Sequence, residues 1–286
     1  MKVLVMGTTG AIGFPVAQGL VRAGHTVYGM TRSAAKTNQL LAEEITPIIG
    51  SPKDLSPIVP LIPTLDVLID ITSGPDLHTL SVATLATLTS LVQAHRPLQA
   101  PKLTYIYTSG IWVHGNSRTE PVSDTTPLAT PASLVAWRPA HEQAVLTSTD
   151  LIGVVIRPAL VYGRGASLFA PLFKGASDGA VRWFGGPDLY VLVAERAPLV
   201  RGLAFDAAND FTENVDEFLK KLVHVSGAES PHEYIPSDNV FEEAWTTTML
   251  LRPYLARSLF GWRPKKMGLI EGLVTYYNAW KASESL

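Results

Sequence analysis

Along residues 1–156 the apolar positions fall into two alternating patterns. Short, mostly apolar runs at residues 3–6, 66–71, 103–107 and 151–156 read as strands. The near-continuous run at 66–71 is that of a parallel strand covered on both faces. Between the runs, Val16, Leu20 and Val21 recur at helical spacing up to a stop at Gly24. Leu85, Leu88 and Val92 do the same within a helix expected over 77–92. Residues 25–30 read as a second strand, 34–41 as a short helix and 45–50 as a third strand. Pro52, Pro57, Pro60 and Pro63 then exclude regular structure as far as Leu65. A helix over 133–146 separates the fifth and sixth strands. Such alternation predicts a doubly wound parallel α/β sheet.

The first strand breaks at Gly7 into Gly7-Thr-Thr-Gly10-Ala-Ile-Gly13, and a helix follows. A turn of this kind brings backbone N–H groups to a helix N-terminus, where the partial positive charge attracts phosphate. Its glycines serve a tight turn, close approach to a pyrophosphate and close helix–strand packing. The strand before it, the helix after it and the second strand at 25–30 complete a βαβ unit, which points to a bound dinucleotide. Gly7, Thr9, Gly10, Ala11, Ile12 and Gly13 would surround the phosphates. At the end of the second strand stand Thr31, Arg32 and Ser33. An acidic residue there would bond a ribose 2′-hydroxyl, whereas arginine suits a 2′-phosphate. Arg32, with Ser33 and Lys36, therefore favours NADP(H) over NAD(H), against the plainer reading of a solvated loop arginine. Thr72-Ser73-Gly74 and Thr108-Ser109-Gly110 follow the fourth and fifth strands, at the carboxyl ends where open α/β sheets bind ligands. The Ser109 hydroxyl can hydrogen-bond a substrate oxygen, or Ser109 is an ordinary turn serine.

Composition narrows the function. The 286 residues are 47% hydrophobic and 17% charged with a net charge of −2, and no basic stripe invites nucleic acid. No apolar stretch approaches the roughly 20 residues of a membrane span. Met1 leads almost directly into the first strand, so no signal peptide and a cytoplasmic location are expected. The absence of cysteine excludes disulfides, thiol catalysis and thiolate metal sites. The seven histidines are scattered, the closest pair being His224 and His232, and no metal is expected.

Four stretches, standing in the family's order, make the chain resemble the extended and atypical short-chain dehydrogenases/reductases of the NAD-dependent epimerase/dehydratase type. They are the glycine turn, Tyr107-Thr-Ser-Gly-Ile-Trp-Val-His-Gly115, Ile156-Arg-Pro-Ala-Leu-Val-Tyr-Gly163 and Leu259-Phe-Gly-Trp-Arg-Pro264. The resemblance implies a Rossmann domain over 1–163, its sheet completed by a strand near 203–206, and a small substrate domain mostly within 164–286. It implies Thr72 and Ser73 along the ribose and pyrophosphate and Thr108 at the cofactor. It further implies Arg157 and Pro158 near the nicotinamide amide, and Ser109 beside the reacting carbonyl.

The chain departs from this pattern where the chemistry should lie. Trp137 stands in place of the family's tyrosine and His141 in place of its lysine. An indole N–H donates a hydrogen bond but is no proton source at neutral pH. His141 could act as general acid or base, hydrogen-bond the cofactor, or only pack. Tyr105, Tyr107, His114 and Tyr162 are other proton donors in principle. Ser51 follows Gly50 where relatives often have an aspartate near the adenine, and can still make one hydrogen bond. Residues 181–190 look shortened relative to the family, in a piece that would line the substrate pocket.

In the C-terminal part, residues 164–180 read as a partly apolar loop, and Asp210 with Glu213 as a capping-box-like helix start. Val215, Phe218, Leu219 and Leu222 trace an amphipathic helix, and Phe241, Trp245 and Met249 lie at helical spacing. A tail helix over 269–282 carries Leu273, Tyr276, Tyr277 and Trp280, aromatics that would suit a homodimer face. The expected function is NADPH-dependent reduction of a small carbonyl, enone or imine compound. A non-redox isomerase, cyclase or dehydratase and a cofactor-sensing binding protein are the alternatives.

Overall fold

The apolar run Val3–Met6 is wholly buried and lies within β1 (Lys2–Met6), near the middle of a seven-stranded sheet. The computed structural model describes residues 1–163, 170–178, 200–209, 212–229 and 231–284. Around β1 stand β2 (Thr26–Thr31), β3 (Thr46–Ile49), β4 (Val67–Asp70), β5 (Thr104–Thr108), β7 (Ile152–Pro158) and β8 (Ala204–Ala207). Their order is β3-β2-β1-β4-β5-β7-β8, with every pairing from β3 to β7 parallel. This is the doubly wound α/β architecture that the alternating pattern predicts. β4 is buried at all four positions, its apolar residues Val67, Leu68 and Ile69 and also Asp70 at its end.

Helices α1 (Gly13–Arg22), α2 (Thr37–Leu41), α3 (Leu77–His95) and α4 (Arg138–Leu146) connect the strands. Leu4, Met6, Leu68, Tyr105, Tyr107 and Val155 from the sheet pack with Leu88 and Val92 of α3 and Val145 of α4 in one core. Helix α3 departs from expectation. It runs to 19 residues with no Asp, Glu, Lys or Arg, and by length and composition it is apolar enough to cross a membrane. Its Ser81, Thr84, Leu88 and Val92 are nevertheless buried.

The described residues form two compact units, and the chain passes between them more than once. One contains Met1–Ser109, Trp137–Arg157 and residues 200–205; the other contains Gly110–Ala136 together with the described residues of 158–178 and 206–284. The second unit has helices α5 (Ala170–Ser177) and α8 (Leu255–Phe260) and a two-stranded sheet of β6 (Ser117–Val122) and β9 (Met249–Leu251), neither strand being marked by the apolar pattern. Met249 thus lies in a strand, because the helix α7 (Val240–Trp245) ends four residues earlier. Helix α6 (Val215–Ser226) is capped by Asn214, whose side chain accepts from the amides of Asp216 and Glu217. The expected box with Asp210 falls outside the described residues. Glu213 instead accepts the amides of Leu269 and Ile270 at 3.0 and 2.7 Å.

The aromatics of the tail helix α9 (Leu273–Glu284) do not form the exposed face that their spacing suggests. Tyr276, Tyr277 and Trp280 are buried, packing with Phe173, Phe218 and Leu222, and so offer no exposed aromatic surface. The prolines after β3 did not exclude order either. Pro57 and Pro60 sit in a 3₁₀ helix, Ser56–Leu61, whose short hydrogen-bond reach tolerates them. The shortened stretch at 181–190 lies outside the described residues.

Candidate functional site

The glycine turn is fixed by backbone contacts. Gly7 has φ +79°, and a Cβ there would lie 2.4 Å from the carbonyl oxygen of Ile71. A Cβ on Gly13 would lie 2.1 Å from the Gly7 oxygen, so these two glycines are demanded by the fold itself. Gly10 differs: its Cβ would meet only the Gly7 oxygen at 3.2 Å, and the residue is exposed between exposed Thr9 and Ala11. Thr8 is buried and turned inward, its hydroxyl donating to the carbonyl of Val5.

Helix α1 begins here with Ile12 at its N-cap, no side-chain cap and no acidic residue in its first turn. An uncapped helix start behind an exposed glycine suits a phosphate. Thr72, at the carboxyl end of β4, adds a buried hydroxyl oxygen with no partner, and Ser73 beside it is exposed. The residues present therefore fit a dinucleotide. Arg32 and Ser33 are exposed just beyond β2, and the Ser33 amide donates to the Thr31 hydroxyl oxygen at 3.2 Å. No carboxylate stands in Thr31-Arg32-Ser33 to compete for a 2′-phosphate. Ser51 is engaged in its own turn, its Oγ accepting the Lys53 amide at 3.2 Å.

The second constellation lies at the start of α4. Trp137 is its N-cap residue, outside the helix proper, because Pro139 enters in the first turn. The indole stacks on the ring of His78 from α3, with centroids 4.7 Å apart and planes at 19°. His141 is buried and sits edge-on to Tyr107 of β5 at 4.6 Å. Burial, then the nearby Arg138 and His78, push its pKa down to about 4, so the imidazole is neutral at pH 7. Its Nε2 is buried without a partner. Val82, Leu85 and Ala86 of α3 and Ala140 and Ala144 of α4 join Trp137 and His141 around a cavity of about 360 Å³.

Arg138, Tyr107 and His78 were not singled out as a group by sequence. The Arg138 guanidinium donates to the Tyr107 hydroxyl at 3.3 Å and to the Thr108 carbonyl at 3.2 Å, and lies 5.1 Å from the Trp137 ring centre. Burial pushes the Tyr107 phenol up, opposed by Arg138 and Ser81. Only the Trp137-Arg138 dipeptide carried a signal, since the cation stacks on its own neighbour. Next to Thr108, Ser109 is 8% exposed with a buried, unpartnered Oγ, while its amide donates to the Ile156 carbonyl at 2.8 Å. Arg157 is buried against Glu142, donating to Oε2 through Nε at 3.0 Å and an Nη at 2.7 Å. Pro158 closes β7. The remaining proton-donor candidates are committed elsewhere. The Tyr105 hydroxyl donates to Asp70, and His114 and Asp206 form a fully buried pair at 2.9 Å. The Tyr162 hydroxyl, its pKa raised to about 12 chiefly by burial, donates to the Met267 carbonyl at 3.0 Å.

No protein-family model matches the chain, and no curated protein is similar in sequence. Solved structures do match over its whole length. A UDP-galactose 4-epimerase superposes with a TM-score of 0.77 at 17% identity, covering 100% of each chain. The chain has the fold of these enzymes. A dTDP-glucose 4,6-dehydratase double mutant from Streptomyces venezuelae, with NAD bound, gives 0.75 at 15% identity over 100% of this chain and 98% of that one. A UDP-glucuronic acid 4-epimerase from Bacillus cereus in complex with NAD gives 0.72 at 17% identity over 99% of both. At such identities the epimerase/dehydratase likeness establishes the Rossmann architecture and leaves substrate and chemistry to the residues.

Proposed function

We propose that the protein is a cytoplasmic enzyme of the epimerase/dehydratase fold that binds NADP(H) and acts on a small organic carbonyl, enone or imine compound. The observation carrying this reading is the glycine turn: an exposed Gly10 before an uncapped helix, with Arg32 beyond β2 and no acid beside it. Gly7 to Gly13, Thr72 and Ser73 would hold the ribose and pyrophosphate, and Arg32 and Ser33 the 2′-phosphate. When bound, NADPH supplies hydride to a C=O, C=C or C=N group. Ser109, whose buried Oγ has no partner, would donate a hydrogen bond to the substrate oxygen and orient it. His141, neutral at pH 7, would serve as a hydrogen-bonding group and not as an imidazolium acid. The proton then comes from another side chain or from water.

Titration with NADPH and NADH tests the cofactor, with NADPH favoured and Arg32→Asp reversing the preference. Mixing the protein and NADPH with a panel of carbonyl and imine compounds tests the chemistry, and no nicotinamide oxidation with any of them would count against reduction. Trp137 and neutral His141 in place of a tyrosine–lysine pair favour a second reading, acid–base isomerisation, cyclisation or dehydration without net cofactor consumption. A deuteride-labelled cofactor separates the two by detecting transient hydride transfer.

A further inference from the structure

Asp70 closes β4 with a carboxylate that is 3% exposed, and among the described residues no ion pair joins it. A buried carboxylate without a cation is costly, so its hydrogen bonds must be favourable and well placed. Oδ2 accepts the Tyr105 hydroxyl at 2.8 Å, and Oδ1 accepts the Thr72 amide at 2.9 Å. Tyr105 is itself fully buried on the neighbouring strand β5, and burial first, then Asp70, pushes its phenol well above 10. It remains a donor at every physiological pH.

This strut ends where the candidate cofactor site begins. Ile71, between Asp70 and Thr72, has the carbonyl that would lie 2.4 Å from a Cβ on Gly7. The Ile71 amide donates to Met6 at 3.1 Å. The chain after β4 is therefore pinned on one side against the glycine turn and on the other, through Asp70, to β5. Thr72, held this way, keeps a buried Oγ1 without a partner. We propose that Asp70 and Tyr105 are positioning residues that set Thr72 against the glycine turn so that its hydroxyl meets the ribose–pyrophosphate of the bound dinucleotide. The inference rests on the dinucleotide reading above.

Tyr105→Phe removes the donor while keeping the ring, and Asp70→Asn removes an acceptor while keeping the size. The two readouts are the NADP⁺ dissociation constant by calorimetry and amide hydrogen exchange over residues 71–74 in ligand-free protein. Asp70→Asn should weaken binding about tenfold and Tyr105→Phe somewhat less, with the double variant no worse than Asp70→Asn, since both act through one strut. Exchange should quicken at Thr72 and stay unchanged in β1. Thr72→Val should weaken binding comparably without altering exchange in β4. Wild-type affinity in both strut variants would overturn the positioning role alone. So would affinity that falls only as exchange quickens across the whole sheet, which marks general destabilisation. A wild-type protein that binds no dinucleotide overturns the cofactor reading and the positioning role together.

Discussion

The glycine turn and the start of α4 belong to one compact unit, yet they are made of different materials. The turn is backbone: two glycines where a Cβ would clash with the chain's own carbonyls, one exposed glycine where it would only be tight, and a helix start without a side-chain cap. The α4 start is side chain: an indole stacked on His78, a guanidinium reaching Tyr107 and Thr108, a neutral buried imidazole, and an ion pair between Glu142 and Arg157. A backbone site can bind the same kind of ligand across many sequences, because its geometry depends on few residue identities. A side-chain site changes its chemistry with each substitution. The fold therefore constrains the geometry of the turn more than it constrains the chemistry beside it.

The contrast can be broken most forcefully at Gly13. Gly13→Ala puts a Cβ 2.1 Å from a backbone oxygen, and a loss of more than about 3 kcal/mol in urea unfolding is expected, together with loss of dinucleotide binding. If that variant folds and binds normally, the turn is not backbone-limited. In the side-chain region, Glu142→Gln should cost about 3 kcal/mol in the same measurement, since it removes the charged acceptor of two hydrogen bonds from the buried Arg157.

A smaller effect follows from His141. Its pKa of about 4 lies below the ordinary 6.5, so the unfolded chain takes up the proton first. Stability should then fall from pH 6.5 towards pH 4, by about 2 kcal/mol at pH 5. His141→Gln should flatten that part of the pH–stability curve, and an unchanged slope would show that the ring is not held neutral. The smallest change is Gly10→Ala. The protein should fold almost as well as wild type while NADP⁺ affinity drops about tenfold, which separates a glycine needed for a ligand from glycines needed for the fold.

How much could be read beforehand follows the same division. β1, β2, β4 and the glycine turn were legible because short, mostly apolar runs and a stereochemical need for glycine leave few alternatives. β6, Ser-Arg-Thr-Glu-Pro-Val, is exposed or half-exposed at five of six positions, so no apolar period marked it. Tyr276 and Trp280 read as surface because spacing gives a helix face without saying what covers it. Trp137 and His141 could be identified as departures, but the stack on His78 and the contact with Tyr107 join residues far apart in sequence. Arg138 and Asp70 went unremarked because isolated charges in a sequence carry no sign of burial or partner.

The last strand of the sheet has a bearing on how the protein is made. β8 covers the outer edge of β7, and it comes from residues 204–207, some 46 residues after β7 ends at Pro158. While the chain emerges from the ribosome, six strands can be assembled with β7 still showing unpaired N–H and C=O groups to any passing strand. Nascent chains stalled in that interval should be the ones that chaperones hold and that aggregate when they are scarce. Fragments ending before residue 204 should behave likewise, and fragments extended through β8 should stay soluble.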